Sequence, residues 1–126
     1  MSIKVSVLSV ETLPESGQWV LSKPLYFSHP LCGRRQVPVG FKTDLASIPR
    51  FFRRIFSVND RHREEAVVHD YLYSIQGDFP SVKLTRKQCD QIFNDLMKAD
   101  NISAWKRKPI YLAVRAGGWA YFNSGS

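Results

Sequence analysis

A chain of 126 residues with 44% hydrophobic and 23% charged residues has ordinary globular composition and the length of one domain. It buries roughly two-thirds of its unfolded surface on folding, enough for a core without metal or disulfide staples. No apolar run approaches the roughly 20 residues of a membrane span, and Met1 to Val10 has no secretory pattern. Two cysteines, Cys32 and Cys89, point to reduced thiols in a cytoplasmic setting rather than a disulfide framework.

The net charge of +7 is uneven. Arg34, Arg35, Lys42, Arg50, Arg53, Arg54, Arg61 and Arg63 crowd one stretch, against Asp44 and Asp60. From Ser103 onward Lys106, Arg107, Lys108 and Arg115 stand with no acid. Such a field attracts nucleic acid, anionic lipid or an acidic partner without choosing among them, and it also simply keeps a protein soluble.

Residues 1–42 read mainly as strands. Ile3 to Val10 is β-rich, and Leu13 to Gly17 is a turn. Trp19 to Phe27 is a second extended segment, broken by Pro24 and so placed at an edge. His29 to Gly33 is a turn, and Gln36 to Phe41 a third strand closed by Gly40. The expectation is a small antiparallel sheet.

Residues 47–122 read mainly as three to four helices. Ser47 caps a short helix whose apolar face is Phe51, Phe52, Ile55 and Phe56, with Arg50, Arg53 and Arg54 opposite. A second helix begins near Asn59 or Asp60 and runs to about Gln76, stopped by Gly77 and Pro80. Thr85 with Gln88 forms a capping box that opens a helix to about Ala99. Ile92, Phe93, Leu96 and Met97 supply its apolar stripe. A last helix starts at Ser103 or a few residues later, with Tyr111, Leu112, Val114 and Trp119 as its face. The fold class is α+β: a small N-terminal sheet packed on C-terminal helices, in one domain.

The residues with most chemical content are His69, Asp70, Tyr73 and Asp90. His69 and Tyr73, four apart, share a helical face with Asp70 beside it. Imidazole titrates near neutrality and can take a proton from water, while a neighbouring carboxylate can hold a metal or orient the ring. Asp90, early on the next, antiparallel helix, is placed to face His69 or Tyr73. A hydrolytic site and a buried structural network both fit these residues. Thr43, Asp44 and Ser47 form a polar loop at a helix entrance, suited either to a binding site or to plain capping. No zinc spacing is present, and Cys89 reads as a small buried hydrophobe.

Four motifs, Gly40 to Pro49, His69 to Tyr73, Asp90 to Phe93 and Tyr111 to Gly118, resemble a phage and prophage family known as domain of unknown function 1353. That resemblance implies a phage or prophage origin and supplies no activity. The order His69, Asp70, Tyr73 and Asp90 is also similar to the phospholipase A2 layout of a His-Asp-x-x-Tyr helix facing a second Asp. This second resemblance implies His69 as general base, Asp70 as ligand of calcium or another divalent cation, and Tyr73 with Asp90 as the orienting pair. The chain departs from that group in lacking its glycine-rich calcium loop and its disulfides.

Three functional expectations follow. One is a small phage-type hydrolase, with Asp44 and Ser47 closing the site. Another is a non-enzymatic virion, tail or host-interaction protein whose partners are phage or host proteins. The third is a basic nucleic-acid-binding protein. Host-cell cytoplasm and the virion are the expected locations.

Overall fold

The computed structural model describes residues 3–6, 10–13, 18–43, 63–119 and 122. The expected Ser47 helix with its phenylalanines lies outside the described residues. Among the described residues six short strands come first: β1 (Lys4–Val5), β2 (Val10–Leu13), β3 (Gln18–Leu21), β4 (Leu25–His29), β5 (Gly33–Val37) and β6 (Lys42–Thr43). Then come α1 (Arg63–Ser74), a hairpin of β7 (Asp78–Phe79) and β8 (Val82–Lys83), α2 (Arg86–Ala99) and α3 (Ala104–Gly117). The class is α+β, with antiparallel sheets mostly N-terminal and helices C-terminal.

The strands divide into two three-stranded antiparallel sheets, β1-β4-β5 and β2-β3-β6. Pro24 therefore does more than mark an edge. The extended segment expected from Trp19 to Phe27 is cut into β3 and β4, which pair in different sheets. Proline offers no N–H to a ladder, so the chain changes sheet beside it. The strand expected at Gln36 to Phe41 is likewise divided, its first part completing β5 and its end leading into β6. Gly40, at φ +87°, makes the turn between them, and its N–H bonds the Leu21 carbonyl at 2.8 Å.

Alternation sets the inner face of β4: Leu25 and Phe27 are buried and Tyr26 is exposed. Leu25 pairs with the buried Val37 across the hairpin. On β5, Arg35 donates to the Cys32 carbonyl at 2.7 Å and to the Ser81 hydroxyl at 2.6 Å. Its guanidinium lies 4.5 Å from the Phe79 ring centre, so this cation fastens the sheet to the β7-β8 hairpin.

α1 is buried almost all round, with Ala66, Val67, Val68, Leu72 and Tyr73 in the core. It stops just before Gly77, whose φ of +66° and 2.5 Å Cβ approach to the Leu84 carbonyl exclude a side chain. α2 opens on the expected capping box. Thr85 Oγ1 accepts from the Gln88 N–H at 3.1 Å, and Gln88 Oε1 accepts from the Thr85 N–H at 2.9 Å. Its buried stripe is Cys89, Asp90, Ile92, Phe93, Leu96 and Met97. α3 follows Ser103 as expected, but its core face differs. Ile110 and Val114, four apart, face inward, while Leu112 and Trp119 are 65% and 60% exposed. No helix among the described residues is long and apolar enough to cross a membrane.

Candidate functional site

Asp90 is the hub of the polar interior. It is fully buried on α2, with four polar neighbours from all three helices. His69 Nε2–H, from α1, donates to its Oδ1 at 2.7 Å. Tyr73, one turn further along α1, donates its hydroxyl to the same oxygen at 2.5 Å. Arg115, from α3, donates to Oδ2 at 2.7 Å, and Arg86 lies 3.5 Å from that oxygen. Burial pushes the Asp90 carboxyl upward, but the His69 hydrogen bond and charge interaction, with the Tyr73 and Arg115 hydrogen bonds, outweigh it. The net result is a pKa below the ordinary aspartate value. Tyr73 shifts the other way, raised by its own burial and by bonding to Asp90, so it remains a donor.

The imidazole is packed as well as bonded. Its ring centre lies 4.2 Å from that of Tyr73 and 4.6 Å from that of Phe93. His69, Tyr73 and Asp90 each have 0% exposure. Arg86 also donates to the Val114 and Arg115 carbonyls at 3.1 and 3.0 Å. It thus adds a side-chain donor at the C-terminal end of α3, where the Gly118 N–H also bonds the Val114 carbonyl, while flanking Asp90.

Three of the expected residues, His69, Tyr73 and Asp90, therefore converge. Asp70 belongs to a different contact: its Oδ2 accepts from the buried Thr43 hydroxyl, which ties β6 to α1. Asp44 and Ser47 lie outside the described residues. Arg86 and Arg115 were not anticipated as members of the cluster. Arg86 carried a signal, being four residues before Asp90 on one helix. Arg115 carried none, because its reach to Asp90 depends on how α3 packs.

A calcium ion takes six to eight oxygen ligands. Among the described residues no three acidic, histidine or cysteine side chains are grouped to hold a metal ion. Among the described residues, the donors near Asp70 do not form a calcium set. Cys32 and Cys89 are unpaired and buried, and burial lifts the Cys89 thiol to about 12, which suits an inert packing residue.

Two further polar features lie outside the cluster. His29 accepts from the Leu31 N–H at Nδ1 (3.0 Å), so Nε2 carries the hydrogen donated to Asp95 Oδ2 at 2.7 Å. That pair ties β4 to α2. Glu65, one turn before His69, is fully buried beside Asp100, to which its protonated carboxyl hydrogen-bonds. Burial, with Asp100 and Glu64 nearby, pushes it up to about 10, so it is uncharged at neutral pH. Finally, a cavity of about 720 Å³ lies against the β1-β4-β5 sheet. Lys4, Arg34, Arg35 and Tyr71 line it, and His69, Tyr73 and Asp90 do not.

No curated protein and no solved structure matches the chain. A family model does, across residues 19–114, a span that contains α1, α2 and most of α3 with the Asp90 hub. The chain belongs to the family described as "Protein of unknown function (DUF1353)".

Proposed function

We propose that this chain is a non-catalytic interaction domain of a phage or prophage, and that its His-Asp motif is a structural network. The observation that carries this reading is the 0% exposure of His69, Tyr73 and Asp90 together. A general base must come within about 3 Å of the proton it removes, directly or through one water. Here the His69 ring is wedged between Tyr73 and Phe93, with its Nε2 committed to Asp90. The cluster joins α1, α2 and α3 through Asp90, which is the work of a fastener.

A second reading rests on the orientation of the pair. A carboxylate that fixes one imidazole nitrogen, with a tyrosine on the same oxygen, is also how a catalytic histidine is aligned. In that reading His69 is the base of a small hydrolase, and opening of the fold admits substrate.

One experiment separates them. Phospholipid, peptidoglycan and phosphoester substrates are incubated with native protein and His69→Ala, with and without calcium, while thermal unfolding of both proteins is recorded. The structural reading expects no turnover and a His69→Ala loss of about 2–4 kcal/mol, as for a broken buried network. Calcium-dependent or calcium-independent turnover that vanishes in a folded His69→Ala protein overturns it in favour of the hydrolase.

A further inference from the structure

α3 exposes an apolar seam on the side away from the core. Trp105, Pro109, Leu112, Ala116 and Trp119 are spaced four, three, four and three apart, and every one is exposed. Trp105, Leu112 and Trp119 are 74%, 65% and 60% exposed. Gly118 keeps a right-handed helical backbone past the end of α3, which carries Trp119 onto the same line. The four-three alternation is that of the core positions of a heptad, and it runs for about 21 Å along the axis. Two tryptophans at these exposures leave on the order of 300 Å² in water, the size of a functional patch.

Charge and width narrow the occupant. Residues 103–126 hold Lys106, Arg107, Lys108 and Arg115 and no acid. Arg115 is spent on Asp90 and Arg107 donates to Asn94, whereas Lys108 is exposed beside the seam. A second copy would bring like charges together, which disfavours self-pairing. A bilayer calls for a broad apolar face, and this one is a single heptad-type line, the narrow stripe of helix-on-helix packing.

We infer that the Trp105–Trp119 face of α3 docks an amphipathic helix of an acidic protein partner. The inference rests on the interaction-domain reading and names its surface. The tryptophans and Leu112 seat between the partner's apolar side chains, and Lys106 and Lys108 meet acidic residues flanking them. Because the seam lies opposite the buried cluster, its test leaves the His69 assay untouched, and either can fail alone.

The probe is a synthetic three-heptad helical peptide with leucine at both core positions and glutamate at the flanking ones. A lysine-flanked version serves as control. On titration into native protein, the acidic peptide is expected to shift tryptophan emission to the blue, saturably, with affinity falling as salt rises. Leu112→Glu is expected to weaken binding at least tenfold without changing the thermal midpoint. Lys87→Glu, an exposed charge reversal on α2, should stay within about threefold of native. Four results overturn the inference: no binding of the acidic peptide, equal binding of the lysine peptide, a dimer abolished by Leu112→Glu, or an emission shift on 3:1 phosphatidylcholine–phosphatidylglycerol vesicles with none on the peptide.

Discussion

Gly118 lies directly against Tyr73: a Cβ at position 118 would stand 2.7 Å from the tyrosine hydroxyl and 2.6 Å from the Val114 carbonyl. The glycine is what lets α3 close over the Tyr73–Asp90 hydrogen bond. Its φ of −80° suits any residue, so the requirement is one of space alone. Gly118→Ala is expected to cost about 1–3 kcal/mol, as overpacking of a filled site does, and to displace the Tyr73 ring. Chemical denaturation and the Tyr73 ring resonances check both, and a neutral substitution would mean that α3 yields freely.

Asp90 is held below the ordinary aspartate pKa, so it contributes stability above its unfolded value near 3.8 and loses it as pH falls through the folded value. Asp90→Asn removes the charge and leaves Arg115 facing a neutral group. A loss of roughly 3 kcal/mol is expected at pH 7, shrinking below about pH 4. Parallel stability curves for the two proteins between pH 7 and pH 3 would contradict this.

Glu65 behaves in the opposite sense. Its folded pKa is raised from 4.5 to about 10, so the stability tied to its proton is fully present below about pH 4.5 and is lost as pH rises toward the folded value. Glu65→Gln keeps the shape without the proton to lose. The variant is expected to gain on the native protein steadily from pH 5 to pH 9, by up to roughly 3 kcal/mol at pH 7. Urea unfolding at three pH values measures the gap, which should not be constant.

Thr43→Val keeps the β-branched shape in β6 and deletes the hydroxyl that Asp70 accepts from. Leaving that carboxylate short of a donor is expected to cost about 1–3 kcal/mol. Asp70→Asn combined with Thr43→Val tests the coupling: the double variant should cost clearly less than the sum of the singles.

The legible parts of the sequence were those governed by local chemistry. Thr85 and Gln88 announced the start of α2 because a capping box closes within four residues. Ile92, Phe93, Leu96 and Met97 announced its buried face by period alone. His69 and Tyr73 could be grouped because i,i+4 spacing puts them on one helix face, and a short connection brought Asp90's helix alongside, although the register that sets Asp90 against both came only from packing. Arg115 could not be joined to Asp90, since its contact crosses 25 residues and depends on the rotation of α3. The same rotation explains Leu112 and Trp119. An apolar residue on a helix reads as core until its neighbours are placed, and here Ile110 and Val114 already fill the inward side. Pro24 looks in the sequence like an edge within one strand, although its missing N–H separates two sheets.

The three helices are unequally anchored. α2 commits six side chains to the interior and α3 only Ile110 and Val114, with polar grip added by Arg115, Arg86 and Arg107 and close approach allowed by Gly118. Local unfolding begins where buried apolar contact is thinnest. α3 is therefore the foldon expected to open first, and its amides should exchange with solvent well ahead of those of α2. Each such opening withdraws Arg115 and admits water to Asp90. The protein's ability to hold a charged aspartate in its interior is thus renewed each time α3 closes.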